Sequence, residues 1–294
     1  MIVAIYGKKI DKSFKKEIIK LFEILENYKI KVIVFQELYS NLEREINFKP
    51  PILSTYNSKE EIYKKIDFLF SIGGDGTFLD AVTQVKDSGV PIIGINAGRL
   101  GFLATISEIN EFEEVIKSIT EKSYEIEKRT LLEIKTSANV FNNFNFALNE
   151  VTIHKHDTSS MITIHSYIND EYLNSYWADG LIISTPTGST AYSLSVGGPI
   201  VVPNSENFII TPLAPHSMTV RPIVINDKNK IKLKVESRNN SFLVSLDHRA
   251  EILDNSVEIE IKKADFKINT IKLANQSFYK TIRNKLMWGI DKRN

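Results

Sequence analysis

The chain has 294 residues, 43% hydrophobic and 25% charged, and its 37 Lys+Arg offset 36 Asp+Glu to leave a net charge of +1. That length suits two domains or one large α/β unit with an ample core, and the charge balance excludes an overall basic nucleic-acid footprint. There is no cysteine, which excludes disulfides, thiolate metal sites and a cysteine nucleophile.

No apolar run approaches the ~20 residues of a membrane span. The first residues read as a buried strand without the basic start and small-residue cleavage site of a signal peptide. A cytoplasmic protein is expected, with neither nucleic acid nor membrane among its partners.

In chain order, apolar runs at 2–6, 32–35, 68–72 and 91–95 alternate with helical patterns, which predicts a parallel sheet with crossover helices. Phe14, Ile18, Leu21, Phe22 and Leu25 recur at helical spacing. Phe78, Leu79, Ala81, Val82 and Val85 form the stripe of a second helix, and another is expected over 109–120. From about 123 the pattern turns to short alternating segments between Asn, Asp, Gly and Ser clusters: 131–136, 146–154, 161–168, 181–185, 230–236, 242–246, 257–261 and 266–273. The expected organisation is an α/β domain with a parallel sheet over 1–122 and an all-β, sandwich-like domain over 123–274. The tail 275–294, helical over 278–288, is expected to pack back on the first domain.

Gly73-Gly74-Asp75-Gly76-Thr77 ends the third strand and opens a helix, the place where open α/β sheets bind ligands. Glycines let the backbone approach a phosphate and present N–H groups to it. The helix N-terminus adds positive potential, and either Thr77 or Asp75 can cap it. A glycine-rich turn capped by Asp75, with no ligand, is the plain alternative. The P-loop, the dinucleotide fingerprint and the nucleophile elbow all fail on spacing, with Leu79 where the fingerprint needs its third glycine.

Downstream, Asp179-Gly180 precedes a strand and the hydroxyl-rich loop Thr185-Pro186-Thr187-Gly188-Ser189-Thr190-Ala191-Tyr192-Ser193-Leu194-Ser195. Such hydroxyls suit a ribose, an amide or a phosphate, although many hydroxyl-rich loops are solvated turns. Asn149-Glu150 stands just before a strand and could bind ribose hydroxyls or a carboxamide. The five histidines lack metal-ligand spacing.

Together these segments resemble the NAD kinase family: G-G-D-G-T at 73–77, N-E at 149–150, D-G-L-I-I-S-T-P-T-G-S-T-A-Y-S-L-S at 179–195, and P-H-S followed by R-P within 215–222. The first motif is shared with diacylglycerol, sphingosine and 6-phosphofructo-kinases; the long 179–195 segment is the specific one. The resemblance implies transfer of the γ-phosphate of ATP to the 2′-hydroxyl of the adenosine ribose of NAD, giving NADP. It implies Asp75 as proton acceptor, and Asp75, Gly76, Asn149, Glu150, Asp179, Thr190, Ala191, Tyr192, Ser193, Leu194, Ser195 and Ala214 as ligand-binding residues. Gly73, Gly74 and Thr77 would complete the phosphate loop. A divalent metal, Mg²⁺ with ATP, and a homodimer or homotetramer are implied as well.

Two departures stand out. Trp177-Ala178 precede Asp179 where many relatives carry a basic residue two places before the aspartate, and Asp247-His248-Arg249 stands where many have D-G-Q. Arg249 is expected to replace the missing charge near the new 2′-phosphate, with Trp177 as a stacking face. A lipid kinase of the same superfamily is the runner-up, but no basic amphipathic helix or lipid-anchor motif supports it. A nucleotide-binding regulator without turnover is the third reading.

Overall fold

The computed structural model describes all residues except 58–65, 99–100, 105, 107, 139, 142–143, 158–159, 274–276 and 289–294. Residues 275, 276 and 289–294 of the expected C-terminal packing segment therefore lie outside the described residues. The chain forms two compact units, one of residues 1–128 with 268–294 and one of residues 129–267.

The first unit is built from β1 (Ile2–Tyr6), α1 (Lys15–Asn27), β2 (Lys31–Phe35), α2 (Gln36–Arg44), β3 (Ser54–Tyr56), β4 (Phe68–Gly73), α3 (Asp75–Val85), β5 (Ile92–Asn96) and α4 (Ile109–Glu121). Its strands are parallel in the order β3-β2-β1-β4-β5. The apolar runs are continuous because such strands are covered on both faces; Val3, Ala4 and Ile5, for example, are fully buried. Ile18, Leu21, Phe22 and Leu25 of α1 enter the same core, as the helical spacing predicts. A capping box between Glu108 and Glu111 starts α4. The chain runs from β1 to β2 on one side and returns to β4 on the other. The carboxyl ends of β1 and β4 therefore flank a topological switch point, where ligands bind in such sheets.

The second unit follows from β6 (Glu125–Thr136), which begins in the first. It contains β7 (Phe146–Ala147), β8 (Glu150–Lys155), β9 (Ile162–Ile168), β10 (Glu171–Ala178), β11 (Gly180–Ser184) and the short α5 (Tyr192–Ser195). β12 (Asn207–Leu213), β13 (Ile223–Asn226), β14 (Ile231–Glu236), β15 (Ser241–Leu246), β16 (Arg249–Asp254) and β17 (Ile259–Lys272) complete it. One antiparallel layer runs β13-β12-β11-β8-β15-β16 and the other β10-β9-β14-β17. Apolar side chains of both layers meet in one core, among them Ile153, Ile183, Phe208 and Phe242 facing Ile164, Leu233 and Ile259. This is the sandwich-like all-β architecture that the alternating segments predict. β17 ends in the first unit, where Thr270 pairs with Ile92, and α6 (Phe278–Leu286) follows it there.

Two expected strand boundaries are corrected. The segment 146–154 is interrupted at Leu148-Asn149, because their amides turn to the Asp247 carboxylate instead of a neighbouring strand. The two segments 257–261 and 266–273 are one strand, β17. The charged residues that seemed to divide them are paired at its flank, Lys262 with Glu133 at 3.0 Å and Lys263 with the buried Asp227 at 2.6 Å.

Candidate active site

In the first unit the glycine loop forms as its composition demands. A Cβ on Gly73 would lie 2.3 Å from the Thr77 hydroxyl, so the turn closes only on glycine at that position. Gly74 is the N-cap of α3, and among the described residues no side chain caps the helix. The expectation that Thr77 or Asp75 caps α3 is therefore corrected.

The carboxylate of Asp75 turns instead to the backbone of the segment after β5. The Phe102 amide donates to Oδ2 at 2.7 Å, and the Leu103 and Ala104 amides donate to Oδ1 at 2.9 and 3.1 Å. Two further glycines permit this arrangement. A Cβ on Gly101 would stand 1.8 Å from Asp75 Oδ1, and one on Gly94 of β5 would stand 2.6 Å from the Leu103 carbonyl oxygen. Ile106 is thus bridged to β5, where the Asn96 amide donates to the Ile106 carbonyl at 2.7 Å. Gly76 is exposed beside the half-buried Asp75. At the neighbouring strand end, Lys8 pairs with Asp80 of α3 at 2.7 Å.

The second unit repeats this carboxylate arrangement. Asp247 accepts the amides of Leu148 at 3.0 Å, Asn149 at 2.8 Å and Glu150 at 3.2 Å. Burial raises the Asp247 pKa, while these amides oppose the shift. Glu150 is buried next to it, and its carboxyl is pushed up to about 8, first by burial and then by the charge of Asp247; the Tyr192 amide works in the opposite direction. At neutral pH Glu150 is largely protonated and can donate a hydrogen bond.

The hydroxyl-rich loop lies against this strand entry. A Cβ on Gly188 would stand 2.1 Å from the Asn149 carbonyl oxygen. Thr185 donates through its amide to the Asn149 carbonyl at 2.9 Å and through its hydroxyl to the Leu148 carbonyl at 2.6 Å. Most of the other hydroxyls are engaged internally. Ser189 donates to the Pro186 carbonyl, Thr190 to Thr187, Ser195 to Tyr192, and buried Ser193 meets Thr211 at 3.0 Å. The hydroxyls thus brace the loop and leave Tyr192 and Ser195 at its exposed surface, with Thr190, Ala191 and Leu194 half-buried.

Asp179 pairs with Lys155 of β8 at 2.5 Å, and its amide donates to the Leu213 carbonyl at 3.0 Å. Ala214 follows with φ 44°, a left-handed conformation that marks a functional or strained turn. Trp177 stacks on His216, ring centroids 4.2 Å apart and planes inclined by 33°. Arg249 does not serve as a free cation. Its Nη1 and Nη2 donate to the carbonyls of Phe144 and Phe146, both at 2.5 Å, and the guanidinium lies 5.0 Å over the Phe144 ring. The cation beside Asp179 is Lys155, which the sequence patterns did not single out. The amides of 102–104 and the clasping role of Asp247 likewise belong to no sequence motif. A carboxylate followed by a departure from the family pattern, Asp247-His248-Arg249, was the one available hint.

Two family models match the chain, the ATP-NAD kinase N-terminal domain over residues 3–124 and the ATP-NAD kinase C-terminal domain over 148–273. An NAD kinase of Flavobacterium psychrophilum is 48% identical over 296 residues, covering 100% of both chains. A yeast NADH kinase solved in complex with NADH superposes with a TM-score of 0.87 at 25% identity, covering 99% of this chain and 89% of that one. An NAD kinase from Archaeoglobus fulgidus, solved in complex with ATP, gives a TM-score of 0.75 at 28% identity with 98% of each chain covered.

Proposed function

The chain belongs to the ATP-NAD kinase family and phosphorylates NAD, and we propose that it moves the γ-phosphate of ATP onto the 2′-hydroxyl of the adenosine ribose, with Asp75 accepting the hydroxyl proton. The observation that carries this reading is the fixed carboxylate of Asp75 at the first turn of α3. A carboxylate offers about four acceptor positions. Leu103 and Ala104 occupy Oδ1, and Phe102 takes one side of Oδ2, so among the described residues Oδ2 keeps room for one more donor. A ribose hydroxyl donating there is held with its oxygen directed at phosphorus. Phosphoryl transfer needs this alignment more than covalent help. The proton passes to Oδ2 as the new P–O bond forms.

In the same reading the amides of Gly73, Gly74, Gly76 and Thr77 cradle phosphate at the α3 N-terminus. Asn149, neutral Glu150, Asp179, Ala214 and residues 190–195 bind NAD. The proposal assigns phosphate handling to residues 1–122 with 275–294, and NAD recognition to 123–274.

ATP and NAD as ligands are supported by the relatives solved with ATP and with NADH. Mg²⁺ is proposed to arrive with ATP. The ion would be held mainly by triphosphate oxygens. When bound, it supplies charge neutralisation at the phosphates. A homodimer or homotetramer in the cytoplasm completes the proposal. Among the described residues no helix is long and apolar enough to cross a membrane.

The test is purified protein with ATP, Mg²⁺ and NAD, coupled to an NADP-specific dehydrogenase. Steady reduction of NADP is expected. Labelled lipid from diacylglycerol, with no NADP formed, would identify a lipid kinase instead.

A further inference from the structure

α6 brings a cation to the Asp75 region that none of the motifs contains. The Lys285 ammonium lies 4.6 Å from the centroid of the Phe102 ring, and the backbone amide of that same residue donates to Asp75 Oδ2 at 2.7 Å. Lys285 Nζ is shielded from solvent and has no hydrogen-bond partner among the described residues. Burial lowers its pKa to about 8, and the Asp75 carboxylate opposes that shift. A buried ammonium resting on a ring keeps some cation–π attraction. Its three N–H donors find no acceptor among the described residues, which is unfavourable for a shielded ammonium.

An incoming anion would remove that cost. The reaction brings one, because charge spreads over the transferring phosphoryl oxygens and the glycine loop carries no P-loop lysine to meet it.

Building on the NAD kinase reading, we propose that Lys285 is a further catalytic residue, whose ammonium leaves the Phe102 ring to bind the oxygens of the phosphoryl group in flight. The 2′-oxygen bonds to the γ-phosphorus while the bond from that phosphorus to the β–γ bridging oxygen breaks. ADP departs with the electron pair, the hydroxyl proton goes to Asp75, and Lys285 stays protonated throughout. Its contribution is charge stabilisation that grows toward the transition state. It therefore acts on kcat more than on the binding of NAD.

The absence of cysteine from the chain makes the test clean. Lys285→Cys introduces a single thiol, which 2-bromoethylamine converts to a near-isostere of lysine and iodoacetamide converts to a neutral side chain. Lys285→Cys is expected to lower kcat by about 100-fold, with KM for NAD changed less than about threefold. Aminoethylation should restore at least a tenth of wild-type kcat, and carbamidomethylation should restore none. Lys285→Met, with its melting temperature measured alongside, should repeat the loss while unfolding within about 3 °C of wild type.

The proposal is overturned if unmodified Lys285→Cys keeps kcat within threefold of wild type, or if both reagents restore it equally. It is also overturned if Lys285→Met loses activity only in proportion to a lowered melting temperature. Those results leave the NAD kinase reading intact as long as the wild-type protein makes NADP. A wild-type protein that makes none would remove both.

Discussion

Asp247 and Glu150 each donate a backbone amide to the other: the Glu150 amide to the Asp247 carboxylate at 3.2 Å, and the Asp247 amide to the Glu150 carbonyl at 3.0 Å. With Leu148 and Asn149 also donating to that carboxylate, one side chain fixes the whole strand entry that presents Asn149 and Glu150. Asp247→Ala would leave these amides without their acceptor. Each such loss costs about 1–3 kcal/mol when the group is buried, with some relief from entering water. We expect a total destabilisation of roughly 2–4 kcal/mol, read from the urea midpoint at unchanged slope. A change below about 0.5 kcal/mol would contradict the clasp.

Glu150 makes stability depend on pH. Its folded pKa is raised to about 8, by burial first and by the Asp247 charge second. Between the ordinary carboxyl value and 8, the native state holds a proton that the unfolded state has released. Stability conferred at this site is therefore full at low pH and is lost as pH rises toward 8, with no further loss above it. Glu150→Gln mimics the neutral acid. The melting-temperature difference between wild type and Glu150→Gln should fall steadily from pH 5 to pH 8; a difference constant across that range would show that Glu150 is ionised in the fold.

Gly101 is where the Asp75 carboxylate touches backbone, with an added Cβ only 1.8 Å from Oδ1. Gly101→Ala must displace either the carboxylate or the 102–104 amides. Misplacement of this kind costs about 10²-fold in rate in well-aligned sites. We expect kcat to fall by at least about tenfold, while circular dichroism shows an unchanged fold. Wild-type turnover in this variant would mean that the clasp does not position the reacting group.

Lys155 neutralises Asp179 at 2.5 Å, in a pair that is mostly shielded from water, with side-chain exposures of 19% and 28%. Removing one partner of such a pair leaves the other charge poorly solvated. For an anionic dinucleotide, an uncompensated Asp179 also repels. Lys155→Met is expected to raise KM for NAD by about tenfold, close to 1.4 kcal/mol, with kcat little altered. An unchanged KM would remove the pair from NAD recognition.

What could be read from the sequence was what is encoded locally. The parallel strands announce themselves as unbroken apolar runs, and Phe78, Leu79, Ala81, Val82 and Val85 of α3 are all buried as their spacing implies. β3 is too short to carry a pattern. β10 alternates weakly, and one of its largest side chains, Trp177, is 52% exposed. The hydroxyl-rich loop stands out by composition, yet the hydroxyls of Thr185, Ser189, Thr190 and Ser195 donate to carbonyls and Ser193 meets Thr211, which only tertiary geometry can decide. The two clasps join Asp75 to 102–104 and Asp247 to 148–150. Backbone amides have no letter in a sequence, so neither could be read in advance. Lys285 looks like any lysine on the polar face of a short helix until Phe102 is placed beneath it.

The proton-accepting role of Asp75 is tested most directly by Asp75→Asn, with turnover and NAD affinity measured on the same preparation. A kcat lower by about 10²–10⁴-fold is expected, while calorimetry still detects NAD binding within a few-fold of wild type. Turnover within tenfold of wild type, with NAD bound as before, would contradict it.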